Sequence, residues 1–260
     1  MSEGGNGHGS RTFDWWERAV LPRVRSAPRC ALFLDFDGTL AELTTEPDAA
    51  RLPQATRRVL KTLAGRPKAR LFFISGRRRS DLWRRVRLPG CQYLGLFGFE
   101  DKPGSGGAPP AAMQRLRAQV ESSVQDLPHV WVENKGLAFV LHYRQATPRA
   151  RTRARRRLRA VLRATTVEIR QFESAHGLEV VPRDVTGKGA AVRRLLRRPA
   201  LRRAVPIYLG DDLSDEPAFR AARHGVTIRV GASRPTAAQY RIRSTDEARE
   251  LLELLAKALR

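Results

Sequence analysis

The chain predicts an α/β fold: a doubly wound, Rossmann-like parallel-sheet core carrying an inserted small α+β cap. Three observations point there. Short apolar runs recur along the sequence, each ending in Ser, Gly or Asp. Helical stretches separate those runs. Between residues 103 and 182 the order changes to helix, two strands, helix, two strands. Apolar runs of four to eight residues suit strands buried on both faces of a parallel sheet, and their alternation with helices supplies the crossovers such a sheet needs.

Taken in order, residues 1–28 read as a polar, Gly-rich tail followed by a short amphipathic helix over 11–20, whose Trp15 and Trp16 pack onto the body. The catalytic core is expected over 29–102 and 183–260, with 103–182 as the cap. Core strands are expected at Ala31–Leu34, Leu71–Ile74, Tyr93–Phe97, Ile207–Leu209 and Val226–Val230. Helices are expected over 53–64, 80–87 and 188–198, the last stopped by Pro199. Ser244 and Glu247 form a capping-box pattern ahead of a leucine-rich final helix. Pro103 to Pro110 reads as a linker. Within the cap, helix 111–126 precedes strands 129–134 and 137–143. Thr147-Pro148 then opens an arginine-rich helix over 148–163. Strands 166–172 and 177–181 flank a turn at Ala175-His176-Gly177.

Composition excludes several classes. No run approaches the ~18 apolar residues of a membrane span, and the N-terminus lacks the apolar stretch of a secretory signal. Cys30 and Cys91 have no metal-ligand spacing, so a reducing cytoplasm is the expected setting. Formal net charge is +23, and only six of the 49 basic residues are lysine. Arginines occur in nearly every predicted helix, densest from Arg149 to Arg159, which reads as whole-sequence composition. No aromatic residues interleave them as stacking platforms for single strands, so nucleic acid is expected to bind at most non-specifically through the basic surface.

The chemistry gathers at strand ends, where open α/β sheets place their ligands. Asp35-Phe-Asp37-Gly38-Thr39 leaves the first strand with two carboxylates at i and i+2. One can attack phosphorus, and the other can handle the leaving-group proton. Two negative charges beside a phosphate call for a cation, and oxygen ligands suit Mg²⁺. Asp-Gly is also ordinary turn chemistry, but a turn does not account for Asp35. Gly210-Asp211-Asp212-Leu-Ser214-Asp215 repeats the pattern on a later strand, with Asp211 able to join the same cation. Ser214 is a candidate N-cap, and Asp215 and Glu216 suit a first helical turn. Ser75 can bond a phosphoryl oxygen. Lys188 offers a charge at a helix start, where free N–H groups favour phosphate.

In that order, these motifs resemble those of the haloacid dehalogenase superfamily over roughly residues 29–260. The resemblance implies Asp35 as nucleophile and Asp37 as general acid/base. It implies Mg²⁺ on Asp35, the Asp37 carbonyl and Asp211, with Asp212 and Asp215 supporting them, and phosphoryl binding by Ser75 and Lys188. The finer match is to trehalose-6-phosphate phosphatases, through Asp35 to Ala41, Ser75-Gly-Arg77, Val132-Glu133-Asn-Lys135-Gly, His142-Tyr-Arg144 and Gly210 to Glu216. That implies a small sugar phosphate as substrate, contacted by Arg77, Glu100, Glu133, Lys135 and Glu179. One departure concerns Phe97, which stands where the family usually has a histidine. Phosphorylated glucosyl-glycerate or glucosyl-glycerol are the alternative substrates, and a weakly active polyanion-binding relative is the alternative class. His142, on an alternating strand, reads as a packed cap residue more than a ligand.

Overall fold

The computed structural model describes residues 13–44, 47–104, 110–173, 177–232 and 234–260. The polar tail, most of the Pro103–Pro110 linker and the Ala175-His176 turn lie outside them.

Six parallel strands form the core sheet in the order β10-β9-β8-β1-β2-β3. They are β1 (Cys30–Leu34), β2 (Ala69–Ile74), β3 (Gln92–Leu94), β8 (Val205–Gly210), β9 (Val226–Val230) and β10 (Tyr240–Ile242). Side chains alternate across a strand, so Cys30, Leu32 and Leu34 face one layer while Ala31 and Phe33 face the other. The first layer contains α1 (Leu21–Ser26), α2 (Gln54–Ala64), α3 (Arg79–Val86) and α8 (Thr245–Ala258). The second contains α6 (Lys188–Leu196) and α7 (Glu216–Ala221). From β1 the chain winds outward through β2 to β3, then returns to place β8 on the other side of β1. The order therefore reverses between β1 and β8, which opens a crevice beyond their C-terminal ends.

The cap is a four-stranded antiparallel sheet in the order β4-β5-β7-β6. Its strands are β4 (Trp131–Asn134), β5 (Phe139–His142), β6 (Ile169–Glu173) and β7 (Gly177–Pro182). One face carries Phe139, Leu141, Leu178 and Val180, packed on α4 (Ala111–Val124) and α5 (Pro148–Ala164). The period of two turns Trp131, Glu133, Val140, His142 and Glu179 to the opposite face, with Glu133 and Glu179 both in register with Val140. That face covers the crevice.

Four expectations change. The N-terminal helix does not end at Val20: a π-helical turn at Trp16–Val20 runs into α1. Pro22, which has no N–H to donate, follows the π-helical turn directly, where the regular i→i−4 ladder is already interrupted. Trp16 is buried, and Trp15 stacks on Tyr240 at 4.4 Å. The strand expected to reach Phe97 stops at Leu94, because the chain folds back onto the loop after β2. The Leu96 N–H donates to the Arg77 carbonyl at 2.8 Å and the Phe97 N–H to the Ser75 carbonyl at 2.9 Å. This leaves Leu96 and Phe97 at φ 45° and 59°, a region non-glycine residues seldom adopt and one that concentrates at functional sites. At α8 the Ser244 hydroxyl accepts the Glu247 N–H, but Glu247 reaches back to the Arg243 N–H instead of Ser244. Finally β10, three residues at the sheet edge, is too short to signal itself in the sequence.

Candidate active site

Asp35 leaves β1 and Asp211 leaves β8, so the fold brings both to the crevice at the switch point. With Asp215 they form a carboxylate group whose oxygens lie within 4.8 Å of one another. Gly38 is required by this closeness rather than by a phosphate. Its φ is +77°, and a Cβ there would lie 2.2 Å from Asp211 Oδ2. The Thr39 hydroxyl donates to Asp211 Oδ1 at 3.1 Å.

Lys188, first residue of α6, reaches into this group. Its Nζ donates to Asp35 Oδ1 and to Asp215 Oδ1, each at 2.8 Å, and all three side chains are buried. Burial disfavours the lysine charge, yet attraction to Asp215 and Asp35 outweighs it and holds the amine above its usual range. Asp35 moves to about 7, chiefly through burial and with repulsion from Asp215 and Asp37, against the pull of Lys188. Asp211 is pushed well up, by burial first and then by the charges of Asp35 and Asp215. Three carboxylates, two of them buried and Asp211 partly so, thus gather at one lysine, and their oxygens are a donor set that suits a divalent cation.

Asp215 is not available to such a cation. Oδ1 accepts from Lys188 and from the Tyr208 hydroxyl at 2.6 Å. Oδ2 accepts the N–H groups of Asp211 and Asp212 at 3.2 and 3.0 Å. Four bonds fill the lone-pair sites of a carboxylate, so Asp215 holds the loop at Asp211 and Asp212, and Asp35 and Asp211 are the two of the three that could coordinate a cation. Asp212, not Ser214, is the N-cap of the turn Leu213–Asp215, in a reciprocal capping box with Asp215. Glu216 stands in the first turn of α7, as expected, and its carboxylate is used further. It accepts from Arg229, Thr236 and the Ala237 N–H, while Arg229 also bonds the Asp211 carbonyl.

Asp37 is gripped by Arg77, whose Nε and Nη2 meet its two oxygens at 2.7 and 2.6 Å. Arg77 is in turn braced by Asp81 at 3.0 Å. Ser75 Oγ accepts the Arg77 N–H at 3.1 Å, which leaves its hydroxyl hydrogen for a ligand. From the cap come Glu133, whose Oε2 meets His142 Nε2 at 2.8 Å, and Lys135, whose Nζ donates to Glu179 Oε1 at 3.0 Å. Burial raises Glu133, but the His142 bond and Lys135 carry it below its usual value, whereas burial keeps Glu179 raised. Glu179 Oε2 is buried with no hydrogen-bond partner among the described residues.

One cavity therefore collects Asp35, Asp37, Ser75, Arg77, Glu133, Lys135, Glu179, Lys188, Asp211 and Asp212 in its wall. Besides Asp215, the expected residue that does not line it is Glu100. It is buried behind the wall, where it accepts the Arg79 N–H at 2.6 Å and pairs with Arg78 at 3.5 Å. Its carboxylate anchors the start of α3, so the sugar contact expected of it is corrected. Sequence reasoning did not find Asp81, Tyr208 or Thr39, whose roles depend on contacts far along the chain. His142 is packed in the cap as expected, buried and stacked on Trp131 at 4.0 Å, and it also lines the cavity. Trp131 and Glu133, two apart on β4, lie opposite His142 and Val140, two apart on β5, and that spacing was the available signal that His142 shares the face of Glu133. Phe97 also lines the cavity, its ring 4.9 Å from that of Phe172.

The family model described as trehalose-phosphatase matches residues 33–253. A trehalose-phosphate phosphatase of Mycobacterium ulcerans is 33% identical over 273 residues, covering 98% of this chain and 68% of the relative. One of Mycobacterium tuberculosis is 35% identical over 255 residues, covering 88% and 62%. Among solved structures, the C-terminal domain of Candida albicans trehalose-6-phosphate phosphatase superposes with TM-score 0.80 at 23% identity, covering 91% of this chain and 95% of that one. A haloacid dehalogenase-like hydrolase from Bacteroides thetaiotaomicron superposes at 0.62 with 18% identity, covering 87% and 99%. These two likenesses speak for the fold.

Proposed function

The chain belongs to the trehalose-phosphatase family, and from that premise we propose that it hydrolyses trehalose 6-phosphate to trehalose and phosphate through an aspartyl-phosphate on Asp35. The observation that carries the reading is the shared cavity. Asp35, Lys188 and Asp211 of the core face Glu133, Lys135 and Glu179 of the cap across one space. The core set suits a phosphoryl group, and the cap set suits sugar hydroxyls, with Glu179 Oε2 an open acceptor that a hydroxyl can satisfy.

In the first half-reaction an Asp35 oxygen forms a bond to phosphorus, and the bond from phosphorus to the sugar oxygen breaks. The departing oxygen takes its proton from Asp37. Lys188 and the Ser75 hydroxyl hold phosphoryl oxygens and balance their charge. In the second half, water attacks phosphorus, Asp37 takes its proton, and the bond to Asp35 breaks to release phosphate. Asp35, the Asp37 carbonyl and Asp211 are the residues that would hold Mg²⁺, which when bound offsets the charge of the carboxylates and the phosphoryl group. Arg77, bonded to both Asp37 oxygens, fixes where that carboxyl points. The cap lies over the crevice as a lid that selects the sugar.

Phe97 favours a second substrate reading. An aromatic ring replaces a hydrogen-bonding side chain in the cavity wall, which suits a less hydroxylated glycoside phosphate such as glucosyl-glycerol phosphate. Phosphate release over a panel containing both compounds, with Mg²⁺ and with EDTA, tests the proposal. The expected result is Mg²⁺-dependent release with trehalose 6-phosphate preferred. Equal release in EDTA would sink the mechanism, and preference for the glycerol compound would replace the substrate. No helix among the described residues is long and apolar enough to cross a membrane. Both cysteines are free, which fits the reducing cytoplasm we propose as its setting.

A further inference from the structure

The phosphatase reading leaves the most basic element of the chain without a role. Helix α5 contains no acidic residue and eight arginines in its 17 residues. These arginines divide into two groups. Arg155 bonds Glu173 at 2.5 Å, Arg157 bonds Asp126, and Arg151 donates to the carbonyls of Ala146 and Arg144. Arg149, Arg153, Arg156, Arg159 and Arg163 are exposed, and none forms a hydrogen bond or ion pair among the described residues; Asp126, already bonded to Arg157, lies near enough to Arg153 to feel its charge.

Those five follow one another at spacings of four, three, three and four. At 3.6 residues per turn they fall within about 120° of the helix surface, in a stripe ~21 Å long. The buried face of α5, Ala150, Ala154 and Leu158, points the opposite way. Because that face packs on the side of the cap sheet turned from the crevice, the stripe points away from the active site, and none of its arginines lines the catalytic cavity. Arg156, Arg159 and Arg163 instead line a shallow groove with Arg155, Thr152 and Ala160.

Each neighbouring pair in the stripe sets like charges at i,i+3 or i,i+4, which disfavours a helix, and Arg149 opposes the dipole at its N-terminal turn. A general arginine bias does not require this. In α8, Arg249 lies beside Asp246, Glu250 and Glu253, and in α3 Asp81 meets both Arg84 and Arg85. In the stripe one acid comes near, Asp126 beside Arg153, and it is already paired with Arg157.

We propose that the outer face of α5 is a docking surface for the phosphate backbone of duplex nucleic acid, bound without sequence preference. Five guanidinium groups on a rigid rod match a line of fixed negative charges, and arginine suits phosphate in geometry as well as charge. The stripe offers no aromatic platform for unstacked bases, which sets single strands aside. The apolar face of α5 is already buried in the cap, so the helix cannot insert into a lipid surface.

The test is fluorescence anisotropy of a labelled random-sequence 20-base-pair duplex with the full chain between about 50 and 200 mM salt, where five phosphate contacts predict a log–log slope near −4.5 and about 500-fold weakening. The triple variant Arg153→Gln, Arg156→Gln, Arg159→Gln should make the slope shallower by about 2.7. A matched triple at exposed positions elsewhere, Arg58→Gln, Arg220→Gln, Arg223→Gln, should leave it unchanged. Unchanged hydrolysis of p-nitrophenyl phosphate by the stripe triple certifies its fold. Should that triple lose activity, Arg156→Gln alone is expected to move the slope by about 0.9. Equal shifts from both triples would mean diffuse net charge and overturn the proposal. So would no binding at low salt, or stripe-dependent binding to phosphatidylserine vesicles in preference to the duplex.

Discussion

At the scale of single residues, the site rests on carboxylates that look alike in sequence and differ in surroundings. Asp35 and Asp211 keep oxygens free for chemistry, whereas Asp215 spends all of its lone pairs on Lys188, Tyr208 and two backbone N–H groups. Asp35→Asn should abolish turnover while leaving the thermal midpoint near that of wild type, because an amide can still accept from Lys188 but cannot attack phosphorus. Measurable turnover above background would rule out Asp35 as nucleophile. Asp215→Ala should behave differently and unfold the site. It leaves the buried Lys188 ammonium with Asp35 alone and takes the acceptor from the Tyr208 hydroxyl and two N–H groups, and breaking a buried pair costs about 3–5 kcal/mol. Urea denaturation checks this, and a loss under 1 kcal/mol would show that the network is replaceable. Phe97→His restores a hydrogen-bonding group to the cavity wall. One neutral hydrogen bond is worth roughly 0.5–1.5 kcal/mol, so kcat/KM for trehalose 6-phosphate should rise about two- to tenfold. Because Phe97 also packs with Leu96 and Val181, the gain should come with a lower thermal midpoint. No change in kcat/KM would show that the histidine is dispensable here.

At the scale of elements, the parallel strands and the helices between them were legible because burial on both faces writes a continuous apolar run. Asp35, Ser75, Lys188 and Asp211 were legible because each follows such a run or opens a helix. The fold-back at Leu96–Gly98 was not, since two non-glycine residues at positive φ are set by hydrogen bonds to a loop twenty residues earlier. For the same reason Glu100 read as a sugar contact when it anchors α3. The cap strands show the opposite case. Once Glu133 and His142 are placed in an antiparallel pair, period-two alternation alone turns both toward the crevice. Glu133→Ala should therefore reduce kcat/KM for trehalose 6-phosphate far more than for p-nitrophenyl phosphate, which is too short to reach β4. Equal losses on the two substrates would show that Glu133 serves the fold of the cap.

At the scale of the whole molecule, the chain divides its labour between two sheets. In the proposed mechanism the parallel sheet brings Asp35 and Asp211 together at strand ends, as nucleophile and cation ligands, beside the phosphate lysine Lys188 at the start of α6. The antiparallel sheet offers polar side chains on one face to the substrate and packs the other on α4 and α5. On that reading chemistry and selectivity sit on separate units that share one cavity where the cap lies over the crevice. The central claim is that phosphorus passes through Asp35, and it is tested most directly by quenching Asp37→Asn during turnover of trehalose 6-phosphate and measuring intact and peptide masses. Loss of the acid/base group should slow the hydrolytic half-reaction by about 10²–10⁴-fold, so the intermediate accumulates. The account predicts one added phosphoryl group on the peptide containing Asp35. Phosphate released with no such adduct, or with the adduct on another residue, would contradict it.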